Sequence, residues 1–600
     1  MPSGSSGAPP RWSLQEIYPG FDSREYLAAV EALGPLLDDL RTTLSSRIPT
    51  PAVPWLKRLL ALYNEVSDRY EELFAFAYTQ FSVNTRDERA QKEMNRLERA
   101  GLPLKSAKVQ LRSALLAAER EAPGALLQAA ESDPELSEFR FFLAEQLALA
   151  EKQMTPAEEN LAADLSRSGG DAWGRLHEAV SSSLQAVWDE ESGEKKTAVE
   201  LRMLAFDPER SIRARAFERE LEAWRSVETP LAFALNGVKG FSVTLNARRS
   251  YATTLDRSIV QSRISRQSLD ALIGVMRESL PQFRGYLRAK ARALRVDRLA
   301  FYDLFAPVGP GTGAWPFDEA RKLITDEFSS FSRGMGDLSR RAFAEKWIDA
   351  LSREGKVGGA YCISFPLSKA SRVLCNYNGT FDDLTTVAHE LGHAYHHEVL
   401  KEAPAVHRDY PMTLAETASI FAENIIFTRA VDRALPEQRI SILDGYLQSA
   451  TQVIVDILSR FLFEEAVLER RPDGELSPRE LCELMVDAQK ETYGDALDGE
   501  KLHPYMWAVK GHYYSQDLAF YNFPYAFGQL FGLALFGLSR SEGEAFPERY
   551  RRLLAQTGRT SAVELTRGLG FDIERPEFWR RGMAMIGERI DQFAALAEAT

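Results

Sequence analysis

The chain has 600 residues, 45% of them hydrophobic and 26% charged, with a formal net charge of −13. That length exceeds one simple core and implies more than one structural lobe. The negative balance argues against a nucleic-acid partner, which would need net or clustered positive charge. The lack of any uncharged apolar run of about 18 residues argues against a membrane span.

In chain order, the opening "MPSGSSGAPPRWSLQ" has neither a basic start nor an apolar stretch. Residues 1–14 therefore read as a disordered lead-in and not as an export signal. Apolar residues then recur every three or four positions from Pro54 to Gln80, Arg86 to Arg120, Gly124 to Ala150 and Thr155 to Arg167, which predicts helices. Asp133-Pro134 and Gly169-Gly170 punctuate them as turns. Alternation around the polar tip of "SSSLQAVWDEESGEKKTAVELRMLAF" predicts a short hairpin. A boundary near Lys196 separates an N-terminal helical domain, residues 15–195, from a second helical domain, residues 196–600.

In the second domain the basic run "RAKARALRVDR", Arg288 to Arg298, reads as a solvated helix face, with the holding of a peptide's carboxyl end as its alternative. "GPGTGAW", Gly309 to Trp315, lacks the Gly-Lys-Ser/Thr ending of a phosphate cradle and reads as a loop. "GGAYCISF" and "SRVLCNYNG" predict two short strands, the first with an edge that could pair with an extended peptide backbone. The fold class is mostly α, with this small β element preceding the next helix. Cys362, Cys375 and Cys482 form no disulfide framework, so a reducing cytoplasm is the expected location.

The next segment, "TTVAHELGHAYHHEV", places four of the chain's eight histidines within fifteen residues. His389 and His393, four apart, share one helix face about 6 Å from each other and can converge on one metal ion. Glu390 lies about 100° round the helix, suited to a metal-activated water and not to a shared ligand position. Asp382 and Asp383 offer an N-cap, and Val387, Ala388, Leu391 and Ala394 an apolar face. The plain alternative is an amphipathic helix with a polar histidine face. His396 and His397 are expected to be structural. Gly392 removes a Cβ beside the two ligands, which predicts close approach of a neighbouring backbone, since mid-helix Gly costs about 1 kcal/mol against Ala.

Catalytic zinc takes three protein ligands and leaves one position open. Glu398 and Glu402 lie too close on the same helix and point away from the His face. Glu416, expected in the first turns of the next helix within "YPMTLAETASIFAENIIF", could reach the metal from there. Glu423, seven residues on, is placed to hold a ligand imidazole by its other nitrogen.

"TTVAHELGHAYHHEV" followed by "LAETASIFAE" 27 positions after its first His resembles the oligoendopeptidase F and thimet oligopeptidase family of zinc peptidases, closest to the oligoendopeptidase F branch. The resemblance runs from "RWSLQEIYPGF" to the aromatic segment "GHYYSQDLAFYNFPYAFGQLF". It implies that His389, His393 and Glu416 bind one zinc ion, that Glu390 is the general base, and that the molecule is two-lobed with a deep substrate channel. In the aromatic segment, Gly511 to Phe531, a phenol or imidazole can donate to the oxygen that gains negative charge during peptide hydrolysis. His512 and Tyr525 are the first candidates, then Tyr521 and Tyr514; a packed aromatic core explains Phe520, Phe523 and Phe527.

The expected function is zinc-dependent endopeptidase action on short peptides, with no nucleic-acid or membrane partner. A zinc carboxypeptidase on a related scaffold and a non-catalytic peptide-binding protein with a structural metal are the alternatives. The last would need a fourth protein ligand, and the sequence offers none.

Overall fold

The computed structural model describes residues 8–49 and 52–599. The chain divides into two compact units, each assembled from three stretches of sequence. The first comprises Met1–Gln153, Gly313–Ala430 and Leu538–Gly570; the second comprises Met154–Thr312, Val431–Gly537 and Phe571–Thr600. Residues 195 and 196, where the sequence reading divides the chain, both fall in the second unit. Most described residues are helical, and strands are few and short. Among the described residues no helix is long and apolar enough to cross a membrane.

The expected hairpin forms in the second unit. Strand β1 (Gln185–Val187) pairs antiparallel with β2 (Lys195–Thr197). Its tip is closed by the Ser192 N–H, which donates to Asp189 Oδ1 at 2.7 Å, and by Gly193 at φ 72°. The other sheet lies in the first unit and contains β3 (Ile348–Leu351), β4 (Tyr361–Phe365) and β5 (Ala370–Tyr377) in the order β3-β5-β4. β4 and β5 are the two predicted strands, antiparallel. β3 runs parallel to β5 and carried no turn or alternation signal, because it is only four residues long.

The first unit builds its core from helices Arg24–Ser45 and Val53–Val83, with Tyr18, Phe21, Tyr26 and Phe76 packed ring against ring at 5.1 to 5.5 Å between centroids. Truncating the fully buried Phe76 to Ala would cost about 3–5 kcal/mol. Glu72, buried on the same helix, accepts hydrogen bonds from the Leu367 N–H and the Ser368 hydroxyl, pinning the β4–β5 turn onto the core. Of the lead-in expected over residues 1–14, residues 1–7 lie outside the described residues. Residues 8–14 are tied to the sheet: the Ala350 N–H donates to Pro10 O at 2.8 Å, and the Ser13 N–H donates to Lys346 O at 2.9 Å.

The predicted helix from Arg86 to Arg120 is two helices, Glu88–Ala100 and Leu102–Glu121, broken at Gly101, where any Cβ would lie 2.5 Å from the Tyr70 ring. In the second unit, Arg266–Ala293 packs along Pro576–Ala599. The basic run at its end is not wholly solvated. Lys290 is fully buried and donates to both oxygens of Asp444 at 3.0 Å, while Tyr286 donates to Asp444 Oδ1 at 2.7 Å. The loop from Gly309 to Trp315 is irregular, with positive φ at Gly309, Gly311 and Gly313.

Candidate active site

The histidine helix spans Phe381–Leu400. Its N-cap is Thr380, not Asp382 or Asp383. The Thr380 hydroxyl accepts from the Asp383 N–H at 3.1 Å, and Asp383 Oδ2 accepts from the Thr380 N–H at 2.9 Å. Glu416 is not inside a helix either. It caps the short helix Met412–Ala415 and precedes Thr417–Arg433, at φ −82° and ψ 1°. That break turns its carboxylate toward the histidine face.

Gly392 makes the approach geometrically feasible. A Cβ there would lie 2.5 Å from Ala418 O and 2.6 Å from Ser419 Cα, so the backbone just after Glu416 rests directly on the histidine helix. As a result Glu416 Oε2 is 3.2 Å from His389 Nε2 and 3.5 Å from His393 Nε2. One ligand atom from each of the three residues lies within 4.8 Å of the others. Glu423 Oε2 faces the opposite nitrogen of His389, Nδ1, at 3.3 Å. The Ser419 hydroxyl donates to Glu416 Oε2 at 2.7 Å, a contact the sequence reading did not single out although Ser419 follows Glu416 by three positions.

The electrostatics suit a divalent cation. Burial favours the neutral ring of His389, but its hydrogen bonds to Glu416 and Glu423 prevail and push its pKa up to about 10. Burial also opposes ionisation of Glu416, yet the His389 hydrogen bond and the His393 ring hold it down at about 2. Burial, reinforced by His389, lowers His393 to about 4, so this ring is neutral and free to ligate. A cation set between His389, His393 and Glu416 would satisfy the same acceptors.

Glu390 is buried, and its Oε2 has no hydrogen-bond partner among the described residues. Burial raises its pKa to about 7, partly offset by His389. Two imidazoles, one carboxylate and an adjacent orphaned carboxylate oxygen make a donor set that fits a divalent ion plus a water.

His396 and His397 are outside the donor group. His396 stacks on Tyr410 at 4.3 Å between centroids, with Nε2 2.9 Å from Thr557 Oγ1. His397 Nδ1 is 3.3 Å from Ser371 Oγ and 3.7 Å from Cys362 Sγ. Glu398 and Glu402 pair with Arg341 and Lys369 respectively.

The aromatic segment lies in the second unit and has its own order. Tyr521 and Tyr525 share a hydroxyl–hydroxyl hydrogen bond of 2.7 Å, and the His512 and Tyr521 rings are 5.8 Å apart. Asn522 Nδ2 donates to His512 Nε2 at 2.6 Å, while Asn522 Oδ1 is 3.5 Å from Arg460. That leaves the proton of the neutral ring on Nδ1. Tyr514 turns inward and stacks on His177 at 3.8 Å. Phe520 takes a left-handed φ of 53°, and its N–H donates to Glu464, which a buried ion pair with Lys239 holds in place. Pro524 sits in the first turn of the helix Phe523–Glu542, which starts the stretch carrying Tyr525.

Comparison with known proteins points to a peptidase. The model of Peptidase family M3 matches residues 326–585, and that of Oligopeptidase F matches residues 121–185. Oligopeptidase PepF of Bacillus subtilis is 22% identical over 98% of this chain and 87% of its own length. Group B oligopeptidase PepB of Streptococcus agalactiae is 27% identical over 67% of this chain and 69% of its own. A peptidase structure from Chlamydophila abortus superposes with a TM-score of 0.83 at 20% identity, covering 98% of this chain and 100% of that one. Oligoendopeptidase F from Enterococcus faecium gives 0.70 at 17% identity, covering 96% and 99%. Residues 326–585 thus match peptidase family M3, and the chain is an oligopeptidase similar to the oligoendopeptidase F metallopeptidases.

Proposed function

We propose that this oligopeptidase is a zinc-dependent endopeptidase that cuts internal bonds of short peptides. The observation carrying the reading is the Glu416 oxygen set between two imidazole nitrogens, with the unpartnered Glu390 oxygen nearby. His389, His393 and Glu416 would hold the ion, which when bound supplies Lewis acidity toward water and carbonyl oxygen. Glu423 fixes the His389 ring through Nδ1, leaving Nε2 to ligate. Glu390 takes a proton from the attacking water and delivers it to the departing amine. His512 and Tyr525, supported by Tyr521, donate to the oxyanion; the inward turn of Tyr514 suits packing better. β4 is an edge strand, suited to hydrogen-bonding an extended peptide backbone and so to tolerance of varied side chains. Three free cysteines suit a reducing cytoplasm.

The test is a mixed peptide library incubated with the chain, with and without chelator, and read by mass spectrometry. Internal cleavage that stops on chelation and returns with zinc is the expected result. Removal of single C-terminal residues would replace it with a carboxypeptidase, and metal-dependent binding without cleavage would replace it with a binding protein.

A further inference from the structure

The second unit contains a cavity of about 130 Å³ whose lining includes Lys510, Gln452, Arg202, Met203, Phe206 and Phe305. Phe206 and Phe305 are in ring contact at 4.9 Å, and Phe206 and Met203 are 50% and 62% exposed, so the wall opens as an apolar rim. Gln452 reaches the cavity from the π-helical turn Gln452–Asp456, an irregularity that proteins retain mostly at working sites.

The charges around this cavity do not balance. Glu220 is committed to Arg202 at 3.2 Å and to the Trp224 indole N–H at 3.3 Å. Asp456 is committed to Arg460. The Lys510 ammonium has neither ion pair nor hydrogen bond among the described residues. Burial, together with the nearby Arg460, pushes it down to about 7. A half-buried cation beside two carboxylates that are already paired lacks an anionic partner, and an incoming anion would supply it.

We infer that this cavity receives a carboxylate of the bound peptide, with Lys510 as its ion partner and the Phe206–Phe305 rim covering the adjoining apolar side chain. The carboxylate is either the peptide's C-terminus or an acidic side chain, the two groups that share the chemistry an unpaired ammonium recognises. The inference rests on the peptidase reading, because Lys510 precedes by two residues the His512 proposed to face substrate.

The experiment measures equilibrium binding of N-terminally fluorescein-labelled pentapeptides to the zinc-loaded full-length Glu390→Gln chain by anisotropy. Four probes are compared: a free acid, its C-terminal amide, and amides carrying an internal Asp or Asn. At least one carboxylate probe should bind about tenfold or more tightly than its uncharged counterpart. The acid-over-amide ratio identifies the C-terminus, and the Asp-over-Asn ratio the side chain. Lys510→Met should bring the ratio to about one, while Lys510→Arg should retain it and show that the fold survives at this position. Absent or equal binding of all four probes, or a preference that persists in Lys510→Met, would overturn the inference. Failure of the peptidase reading registers separately, as no cleavage of the library by the unmodified chain.

Discussion

Both units bury charged clusters, and the two clusters differ in how completely they close. In the second unit each Asp444 oxygen is matched: Oδ1 accepts from Tyr286 and Lys290, and Oδ2 accepts from Lys290 and Gln448. In the first unit Glu416 Oε2 is shared among two imidazoles and Ser419, while Glu390 Oε2 is buried without a hydrogen-bond partner among the described residues. The closed cluster spends its hydrogen-bonding capacity on holding helices together. The open one leaves hydrogen-bonding capacity that the proposed ion and water would use.

Mutating each cluster should separate the two roles. Glu390→Gln keeps the shape of the open cluster and removes its base, so turnover should fall by about 10³-fold or more while metal content, read by plasma mass spectrometry, stays at one per chain. Turnover retained by that variant would exclude Glu390 as the base. Breaking the closed cluster with Asp444→Ala leaves Lys290 buried without a counter-charge and should cost about 3–5 kcal/mol in denaturant unfolding, with no change in metal affinity. A metal-affinity change equal to that of an open-cluster variant would erase the distinction. Glu423→Gln loosens the His389 ring and should weaken metal binding about 10–100-fold in chelator competition.

A smaller effect is expected from pH. Glu390 must be ionised to accept a proton, and its pKa in the metal-free site is raised to about 7. Activity should therefore rise with pH along an acid limb, changing about tenfold per unit below the midpoint, and a bound cation should shift that midpoint below its metal-free position. An acid limb unchanged in Glu390→Asp would assign it to another group. Ser419→Ala, which removes one hydrogen bond to Glu416, should have the least effect, a loss of metal affinity of about tenfold or less.

Much of the first unit's site was legible because it depends on spacing along one helix. The i, i+4 histidines and the intervening glycine carry their geometry in local sequence, and Gly392 meets a neighbouring backbone as its lack of a side chain predicts. The caps were misread by a few positions. Thr380 was overlooked as the N-cap because the two aspartates after it are equally good capping residues on propensity alone. The break at Glu416 was invisible because "MTLAETASIF" keeps helical periodicity across it. The burial of Lys290 depends on Asp444, 154 positions away, and no local pattern reports such a pairing. The same is true of Asn522 against His512 and of Lys510, whose neighbouring carboxylates Glu220 and Asp456 come from distant segments and pair with Arg202 and Arg460.

The contact at Gly392 has one more consequence. With Ala418 O only 2.5 Å from where a methyl group would stand, the gap between the two donor-bearing segments is set by a hydrogen atom. Transplanting the histidine helix alone into another scaffold would carry two of the three ligands and lose the spacing that recruits the third. Grafting this centre requires moving both segments as a crossed pair, glycine included.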